Sequence, residues 1–373
     1  MSFPKLLNLN QDQEIEAVKL VCLLVFGFLA TIGYWLRPTL FGFDSYAHLN
    51  LLLFGFYSTL LNQPIANSWI SLFPHSVLFV QFFMVFAAIL CIVAIFYIVK
   101  SFFGERLAWI SSLVLFGLSP VMLFTLGEFE NELFAYPFIL WGLYFLLNKK
   151  IKWALICCCF SLLFWKWPFY FLFSQKFGAS IIEMNLFSGI LNLWFLIPFV
   201  VCIVFLVKKN KWLAGLGLFF VVCWLWNGKF VVFLLPFLGL SIAAITELLE
   251  NKVKPLFFGL NGKNVLNYVV ILAFFGVVGW NAAYLLSSPN SNDWFVVEMA
   301  IKESQDRNLP LYASLGYDYW VTYKLGVEKV AYQQLWEEKD LNKPSVWVTS
   351  IDSNCKLIVQ RNEFAKLKRV YLC

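Results

Sequence analysis

The sequence predicts a polytopic α-helical membrane protein of about nine transmembrane helices with a small C-terminal α/β extracytoplasmic domain. Of its 373 residues, 61% are hydrophobic and only 13% are charged. A soluble domain carries about 25% charged and 45–50% apolar residues, so the composition indicates a chain with several membrane spans. Near residue 287 the composition becomes mixed and polar. We therefore predict a membrane domain at residues 1–286 and a soluble domain at residues 287–373.

Apolar runs long enough to cross about 30 Å of hydrocarbon follow one another through the first domain. The residues before the first run are too acidic for a cleaved signal peptide, which has a basic start. The runs give nine predicted spans, at residues 17–36, 76–99, 107–126, 133–147, 153–173, 186–207, 212–226, 230–249 and 265–286.

Basic residues occupy alternate connections between these spans, and this pattern predicts the orientation because cytoplasmic loops are enriched in lysine and arginine. The N-terminus is then cytoplasmic and the C-terminal domain extracytoplasmic, in a multi-pass protein of the cell membrane. Because the basic residues form short clusters between apolar runs, the net charge of +6 does not indicate a nucleic-acid partner. The clusters are Lys100/Arg106, Lys149/Lys150/Lys152, Lys208/Lys209/Lys211 and Lys252/Lys254.

The tail has the pattern of a small α/β domain. Residues 293–305 have apolar side chains at helical spacing, and residues 311–315, 346–350 and 357–360 are typical of short strands. Seven of the nine cysteines lie in apolar runs and are interpreted as packing residues. Whether the two in the tail, Cys355 and Cys373, pair is left open by the sequence.

Five acids of the membrane domain fall in predicted outer loops. Glu130 and Glu132 are two residues apart, so in extended backbone they point to one side. Asp44 and Glu183 lie in two other outer loops. A carboxylate beside a bilayer is costly, so acids there indicate a functional site. Their oxygens suit Mg²⁺ or Mn²⁺, and the sequence predicts one metal site built from Asp44, Glu130, Glu132 and Glu183.

Short motifs surround these acids. Phe43-Asp44-Ser45-Tyr46-Ala47-His48 precedes Gly127-Glu128-Phe129-Glu130-Asn131-Glu132, and Ser180-Ile181-Ile182-Glu183 and Lys229-Phe230 follow, with Pro236 further on. In this order they resemble the motifs of GT-C fold glycosyltransferases, most closely the catalytic subunits of oligosaccharyltransferases. That family usually has two aspartates one residue apart where this chain has Glu130 and Glu132. The resemblance implies a GT-C type fold over most of residues 17–325.

A fifth segment, Ser314-Leu315-Gly316-Tyr317-Asp318-Tyr319-Trp320, is the nearest match to the family's Trp-Trp-Asp-Tyr-Gly signature, which reads the acceptor sequon. One register aligns Asp318 with the signature aspartate, and the other aligns Tyr319-Trp320 with the aromatic residues just after it. Neither register keeps the paired tryptophans. The resemblance assigns acceptor binding to Tyr317, Asp318, Tyr319 and Trp320.

The resemblance implies that a monomer in membrane lipid moves a sugar or oligosaccharide to a protein or lipid acceptor at the outer face. The donor would be linked to a polyprenyl phosphate or diphosphate, with Mg²⁺ or Mn²⁺ as cofactor. Asp44 and Glu183 would orient or deprotonate the acceptor. Cationic groups steady a phosphate, and this role falls to Lys229, Lys166 and His48.

Each of these residues also has a structural alternative. Asp44 could instead cap the helix predicted to follow it, and Glu183 could be a solvated acid in a loop. Lys229 could anchor a helix end by snorkelling, and Lys166 and His48 could pack at the membrane interface. Two other functions stay open. One is a different GT-C branch, such as a mannosyltransferase or lipid-modifying enzyme with a monophosphate donor; the other is a non-catalytic lipid-binding or transport protein of the same fold.

Overall fold

The computed structural model describes residues 11–31, 77–117, 131–164, 196–226, 231–252, 262–287, 290–314, 317–325, 344–363 and 366–373. Each of the predicted spans overlaps a helix in this part of the chain. The helices are α1 (Gln11–Ala30), α2 (Val77–Phe103), α3 (Glu105–Gly117), α4 (Asn131–Leu147), α5 (Ile151–Phe164), α6 (Leu196–Lys209), α7 (Lys211–Trp226), α8 (Val231–Lys252) and α9 (Gly262–Ser287).

Among the described residues, one helix is long and apolar enough to cross a membrane by length and composition. It is Leu78–Phe103, within α2, with a mean hydropathy of 3.0. Shorter apolar helices lie at Phe134–Leu147, Ile151–Leu162, Lys211–Cys223, Phe233–Leu249 and Asn267–Gly279. Residues 118–126 and 165–173, which end two predicted spans, lie outside the described residues. That nine helices cross a membrane therefore stays a prediction.

Helix α2 is the central helix of the described bundle. Its side chains are apolar on all sides, and Ile92, Ile95 and Phe96 are fully buried. A helix that is hydrophobic all round is surrounded by other elements, and α2 packs against α1, α3, α4 and α8. It also reaches α6, because the rings of Phe103 and Phe205 stack with centroids 4.7 Å apart.

Tight turns join three pairs of consecutive helices. Gly104, with φ of +83°, connects α2 to α3 and donates its N–H to Lys100 O, which is the usual role of glycine after a helix. Between α4 and α5, Lys149 adopts a left-handed φ of 58°. Between α6 and α7, the Asn210 side chain accepts a hydrogen bond from the Leu213 N–H at 3.0 Å and caps α7. These short turns make each pair antiparallel.

Gly239 of α8 lets that helix approach α2 closely. A Cβ at this position would lie 2.7 Å from Ile95 Cγ2 and 3.3 Å from Val99 Cγ2, both on stiff β-branched side chains. Gly239→Ala should therefore lower the free energy of unfolding by about 1–3 kcal/mol. Gly276 of α9 has nothing within 4 Å of its Cβ position, so Gly276→Ala should be neutral or stabilising. Thermal unfolding of the two purified variants distinguishes these outcomes. Equal melting temperatures of Gly239→Ala and Gly276→Ala would contradict the close approach of α8 to α2.

Four charged side chains link α1, α2 and α3 at one end of the bundle. Lys100 Nζ lies 2.8 Å from Glu16 Oε1, and Lys19 Nζ lies 2.8 Å from Glu105 Oε2. Two longer pairs, Lys19–Glu16 at 3.3 Å and Lys100–Glu105 at 3.8 Å, close the ring. The Tyr97 hydroxyl donates a hydrogen bond to Glu16 at 3.4 Å. We call the four charged residues, which are Glu16, Lys19, Lys100 and Glu105, the ion ring.

The ion ring predicts an acid-dependent stability. Hydrogen bonding from Lys100, and then from Lys19, holds the pKa of Glu16 below its ordinary value of 4.5. A lowered pKa means that the ionised carboxylate stabilises the fold above pH 4.5 and that this contribution is lost as the pH falls through the lowered pKa. The Glu16 side chain is 42% exposed, so solvent screening limits the contribution to below about 1 kcal/mol.

Thermal unfolding of the wild type and Glu16→Gln across pH 3–7 measures this contribution. The wild type should be more stable at neutral pH, and the difference should disappear in acid. Glu14→Gln, an exposed acid on the same helix, should leave the profile unchanged. A Glu16→Gln difference that grows as the pH falls would contradict the assigned sign.

The tail contains a four-stranded sheet and two helices. In chain order its elements are α10 (Asn290–Arg307), β1 (Leu311–Ala313), α11 (Tyr317–Leu325), β2 (Val346–Thr349), β3 (Lys356–Glu363) and β4 (Lys366–Leu372). The strand order is β1-β2-β4-β3, with β1 and β2 parallel and the other pairs antiparallel. Helix α10 packs on the sheet, and Val297 and Val348 are fully buried in that layer.

A disulfide joins Cys355 to Cys373. The two residues flank the paired residues Lys356 and Leu372, so the bond lies at the open end of the β3–β4 hairpin. It packs beside Tyr312, Trp347 and Tyr371 on one face of the sheet. The pairing left open by the sequence is therefore present in the structure.

Candidate functional site

Helices α4 and α8 make a ring contact near their N-terminal ends. Tyr136 and Phe233, near the starts of these helices, have ring centroids 6.3 Å apart and are both buried. Phe220 of α7 stacks on Phe233 with centroids 4.9 Å apart, which adds α7 to the same place. The three helices therefore meet here, and predicted site residues adjoin two of them in sequence: Glu130 directly precedes α4, Glu132 is its second residue, and Lys229 lies two positions before α8.

The ion ring lies at the opposite end of these helices. The rings of Tyr97 and Tyr144, near the C-terminal ends of α2 and α4, are 5.7 Å apart, so the two helices run in the same direction. The start of α4 is therefore at the end of the bundle away from Lys100. Arg106 of α3 donates a hydrogen bond to Asn267 of α9 at 3.0 Å, which adds the start of α9 to the ion-ring end.

The two ends differ in the residues that adjoin them in sequence, and which end faces the cytoplasm stays a prediction. The residues beside predicted cytoplasmic loops gather at one end of the bundle, and the helix starts beside Glu132 and Lys229 gather at the other. We call the second end the acidic end, after the acids that adjoin it in sequence.

Most of the predicted catalytic, metal-binding and phosphate-binding residues fall outside the described residues. These are Asp44, His48, Glu130, Lys166, Glu183 and Lys229. Glu132 is the second residue of α4, and the placement of its side chain is not among the described features. Within the described ranges no group of three or more histidine, cysteine, aspartate or glutamate side chains is close enough to hold a metal ion. The metal site of Asp44, Glu130, Glu132 and Glu183 stays a prediction.

The segment assigned to acceptor binding forms helix α11 in the tail. Two of its four residues are interior: Tyr317 is 4% exposed and Trp320 is 1% exposed. Lys368 of β4, itself fully buried, lies with its Nζ 5.3 Å from the centre of the Tyr317 ring. Most of the surface of Tyr317 and Trp320 is therefore covered within the tail, and the acceptor-binding role of the segment stays a prediction. The side chains of Asp318 and Tyr319 are not among the described features.

A shallow cleft opens between α10 and α11, beside Trp320. Lys324 Nζ lies 4.8 Å from the centre of the Trp320 ring and 3.4 Å from Glu298 Oε1. Lys302 and Gln305 complete the polar lining. The cleft is bounded by a paired lysine and glutamate and holds no group of catalytic side chains.

Features that the sequence did not predict lie mainly at the ion-ring end. Glu16, Lys19 and Glu105 were not predicted to pair, because residues 86 positions apart in the chain give no local signal of contact. The buried Lys368 was also missed, since a lysine in a strand pattern normally indicates the solvent face. No known protein family and no curated protein matches this chain.

Proposed function

We propose that this chain is a polytopic membrane glycosyltransferase that transfers a sugar from a polyprenyl-phosphate- or diphosphate-linked donor to an acceptor at the outer face. The observation that carries the proposal is the meeting of the α4 and α8 starts, with centroids of Tyr136 and Phe233 6.3 Å apart. Glu130 directly precedes α4 in the sequence, Glu132 is the second residue of α4, and Lys229 lies two positions before α8, so we propose that the acids and the lysine belong to one site. Carboxylates and a cation from separate loops are what a lipid-phosphate donor requires.

The apolar outer surface of the bundle favours a position within the bilayer. Val18 of α1, Leu155 of α5 and Leu272 of α9 are 62%, 61% and 71% exposed. Large exposed apolar patches are rare on soluble monomers and are expected where helices face lipid. We propose that α1 to α9 belong to a transmembrane domain of GT-C type and that the tail is a separate domain.

The disulfide favours an extracytoplasmic tail. Disulfides form and persist in oxidising compartments and are rare in the cytosol. The Cys355–Cys373 bond is therefore what the predicted orientation requires, with the acidic end and the tail on the outer side and the ion ring on the cytoplasmic side.

The proposed chemistry assigns one role to each group of side chains. Lys229 binds the donor phosphate as a point charge, and Lys166 and His48 share this role. Asp44 and Glu183 accept a hydrogen bond from the attacking group of the acceptor and orient it towards the sugar. The four carboxylates supply the hard oxygen ligands that Mg²⁺ or Mn²⁺ prefers, and such an ion would neutralise charge on the departing phosphate.

A reconstituted transfer reaction tests the proposed function. The full-length chain, in proteoliposomes, is given polyprenyl-linked donors with a radiolabelled sugar, as monophosphate and as diphosphate, together with peptide and lipid acceptors. The label should move to one acceptor class, and the movement should require added Mg²⁺ or Mn²⁺. Binding of the donors without any movement of label, in the presence of either metal, would favour the non-catalytic alternative and contradict the proposal.

A further inference from the structure

Two turns of the bundle carry the same five-residue pattern. Residues 149–153 read Lys-Lys-Ile-Lys-Trp and residues 208–212 read Lys-Lys-Asn-Lys-Trp. The first joins α4 to α5 and the second joins α6 to α7, so each is the connection of an antiparallel helix pair. We call them the basic turns.

Both basic turns lie at the ion-ring end. Tyr144, near the end of α4, packs against Tyr97 of α2 with ring centroids 5.7 Å apart. Phe205, near the end of α6, stacks on Phe103 at the end of α2 with centroids 4.7 Å apart. The basic turns therefore follow two helices whose C-terminal ends are held against the same end of α2.

The lysines of the basic turns differ from those of the ion ring. Lys19 and Lys100 are each within 2.8 Å of a glutamate oxygen. In contrast, Lys150, Lys152 and Lys211 are exposed, and no ion pair connects them to any described residue. The two turns contain no acid, so their positive charge is not neutralised within the turns.

An exposed tryptophan ends each basic turn. Trp153 and Trp212 are 54% and 55% exposed, and each directly follows a lysine. One side of Trp153 packs on Phe145 with centroids 6.3 Å apart, which holds the ring beside the turn. Tryptophan prefers the headgroup level of a bilayer, where its ring is in apolar surroundings and its N–H is hydrated.

We propose that the basic turns bind anionic phospholipid headgroups of the cytoplasmic leaflet. This inference rests on the proposed position of the bundle in a bilayer. Lysine next to an anionic membrane surface gains about 1 kcal/mol for each residue, and the adjacent tryptophan sets the depth at which the lysines meet the phosphates. The charge of the turns and the position of their rings fit an anionic lipid rather than a zwitterionic one.

Lipid selectivity of the full-length chain tests this proposal. The chain is reconstituted in phosphatidylcholine bilayers with added phosphatidylglycerol, and quenching of tryptophan fluorescence by the brominated form of either lipid gives their relative binding constant. Quenching is measured in the wild type and in the double variant Trp153→Phe/Trp212→Phe. The difference between the two is the quenching of the tryptophans in the basic turns. The wild type should prefer phosphatidylglycerol, and the preference should weaken as salt is added.

Matched charge variants locate the binding. Lys150→Gln/Lys152→Gln and Lys208→Gln/Lys211→Gln should each lower the preference for phosphatidylglycerol about thirtyfold, since each removes two lysines. Lys302→Gln/Lys356→Gln, which removes the same charge from exposed positions of the tail, should leave it unchanged. An equal loss in this control would overturn the assignment to the basic turns.

Two further outcomes would also overturn the proposal, in distinguishable ways. In the first, both lipids quench equally, and the wild type binds soluble polyglutamate whereas the basic-turn variants do not. This result would show that the basic turns bind an acidic protein instead of lipid. Absence of quenching by either lipid would instead contradict the position of the bundle in a bilayer.

Discussion

Glu130→Gln is expected to lower the rate of sugar transfer by about a hundredfold or more, with the folded chain intact. The amide keeps the size of the side chain and removes the charge that would bind the metal and balance the donor phosphate. Asp44→Asn should have an effect of the same order, because the account places both carboxylates in one site. Both acids are predicted to lie in loops rather than in packed helices, so unfolding should be little affected.

The controls for this prediction are an exposed acid of helix α1 and removal of the metal. Glu14→Gln makes the same chemical change at an exposed acid of α1 and should leave the transfer rate unchanged. Chelation with EDTA should reduce the wild-type rate to the level of the variants, and added Mn²⁺ should restore the wild type only. Full transfer activity of the wild type in EDTA would contradict a metal role for the acids.

Loss of the tail disulfide is the second large effect. Cys355→Ala/Cys373→Ala removes a cross-link between residues 18 positions apart and should lower the free energy of unfolding of the tail by about 3 kcal/mol. Amide hydrogen exchange in β3 and β4 of the full-length chain should then be about a hundredfold faster. Exchange in the buried helix α2 should not change.

Cysteine chemistry provides the matched control. Cys158→Ala/Cys159→Ala removes two exposed free cysteines of α5 and should leave exchange in the tail unchanged. In cells, Cys355 and Cys373 should react with a maleimide only after reduction. Rapid labelling of Cys373 in the native, unreduced chain would show that the tail is in a reducing compartment.

The positions of the helices were predictable from the sequence because long apolar runs seldom form any structure other than a helix. The run around Ile92 is an example, since it is buried on all sides in α2. The tail helix over residues 293–305 and three strands were predictable from their apolar spacing. Strand β4 was not, because Lys366 and Lys368 break its apolar pattern, and Lys368 is nevertheless fully buried beside Tyr317.

Contacts between distant segments were beyond sequence reasoning. The segment of helix α11 was assigned to acceptor binding from its resemblance to a family signature, and the sequence did not predict that Tyr317 and Trp320 are buried. The ion ring depends on Glu16 and Lys100, which are 84 positions apart, and no local pattern encodes their pairing. The acids of the predicted site lie in three segments that are far apart in the sequence, and their convergence stays a prediction.

A titration of the purified full-length chain with Mn²⁺, followed by electron paramagnetic resonance of the free ion, tests the convergence of Asp44, Glu130, Glu132 and Glu183 most directly. It needs neither the donor nor the acceptor. The account predicts one tightly bound Mn²⁺ per wild-type chain, weakened strongly by each single amide substitution and unaffected in Glu14→Gln. An undiminished Mn²⁺ site in Asp44→Asn and Glu130→Gln, or no tight site in the wild type, would contradict it.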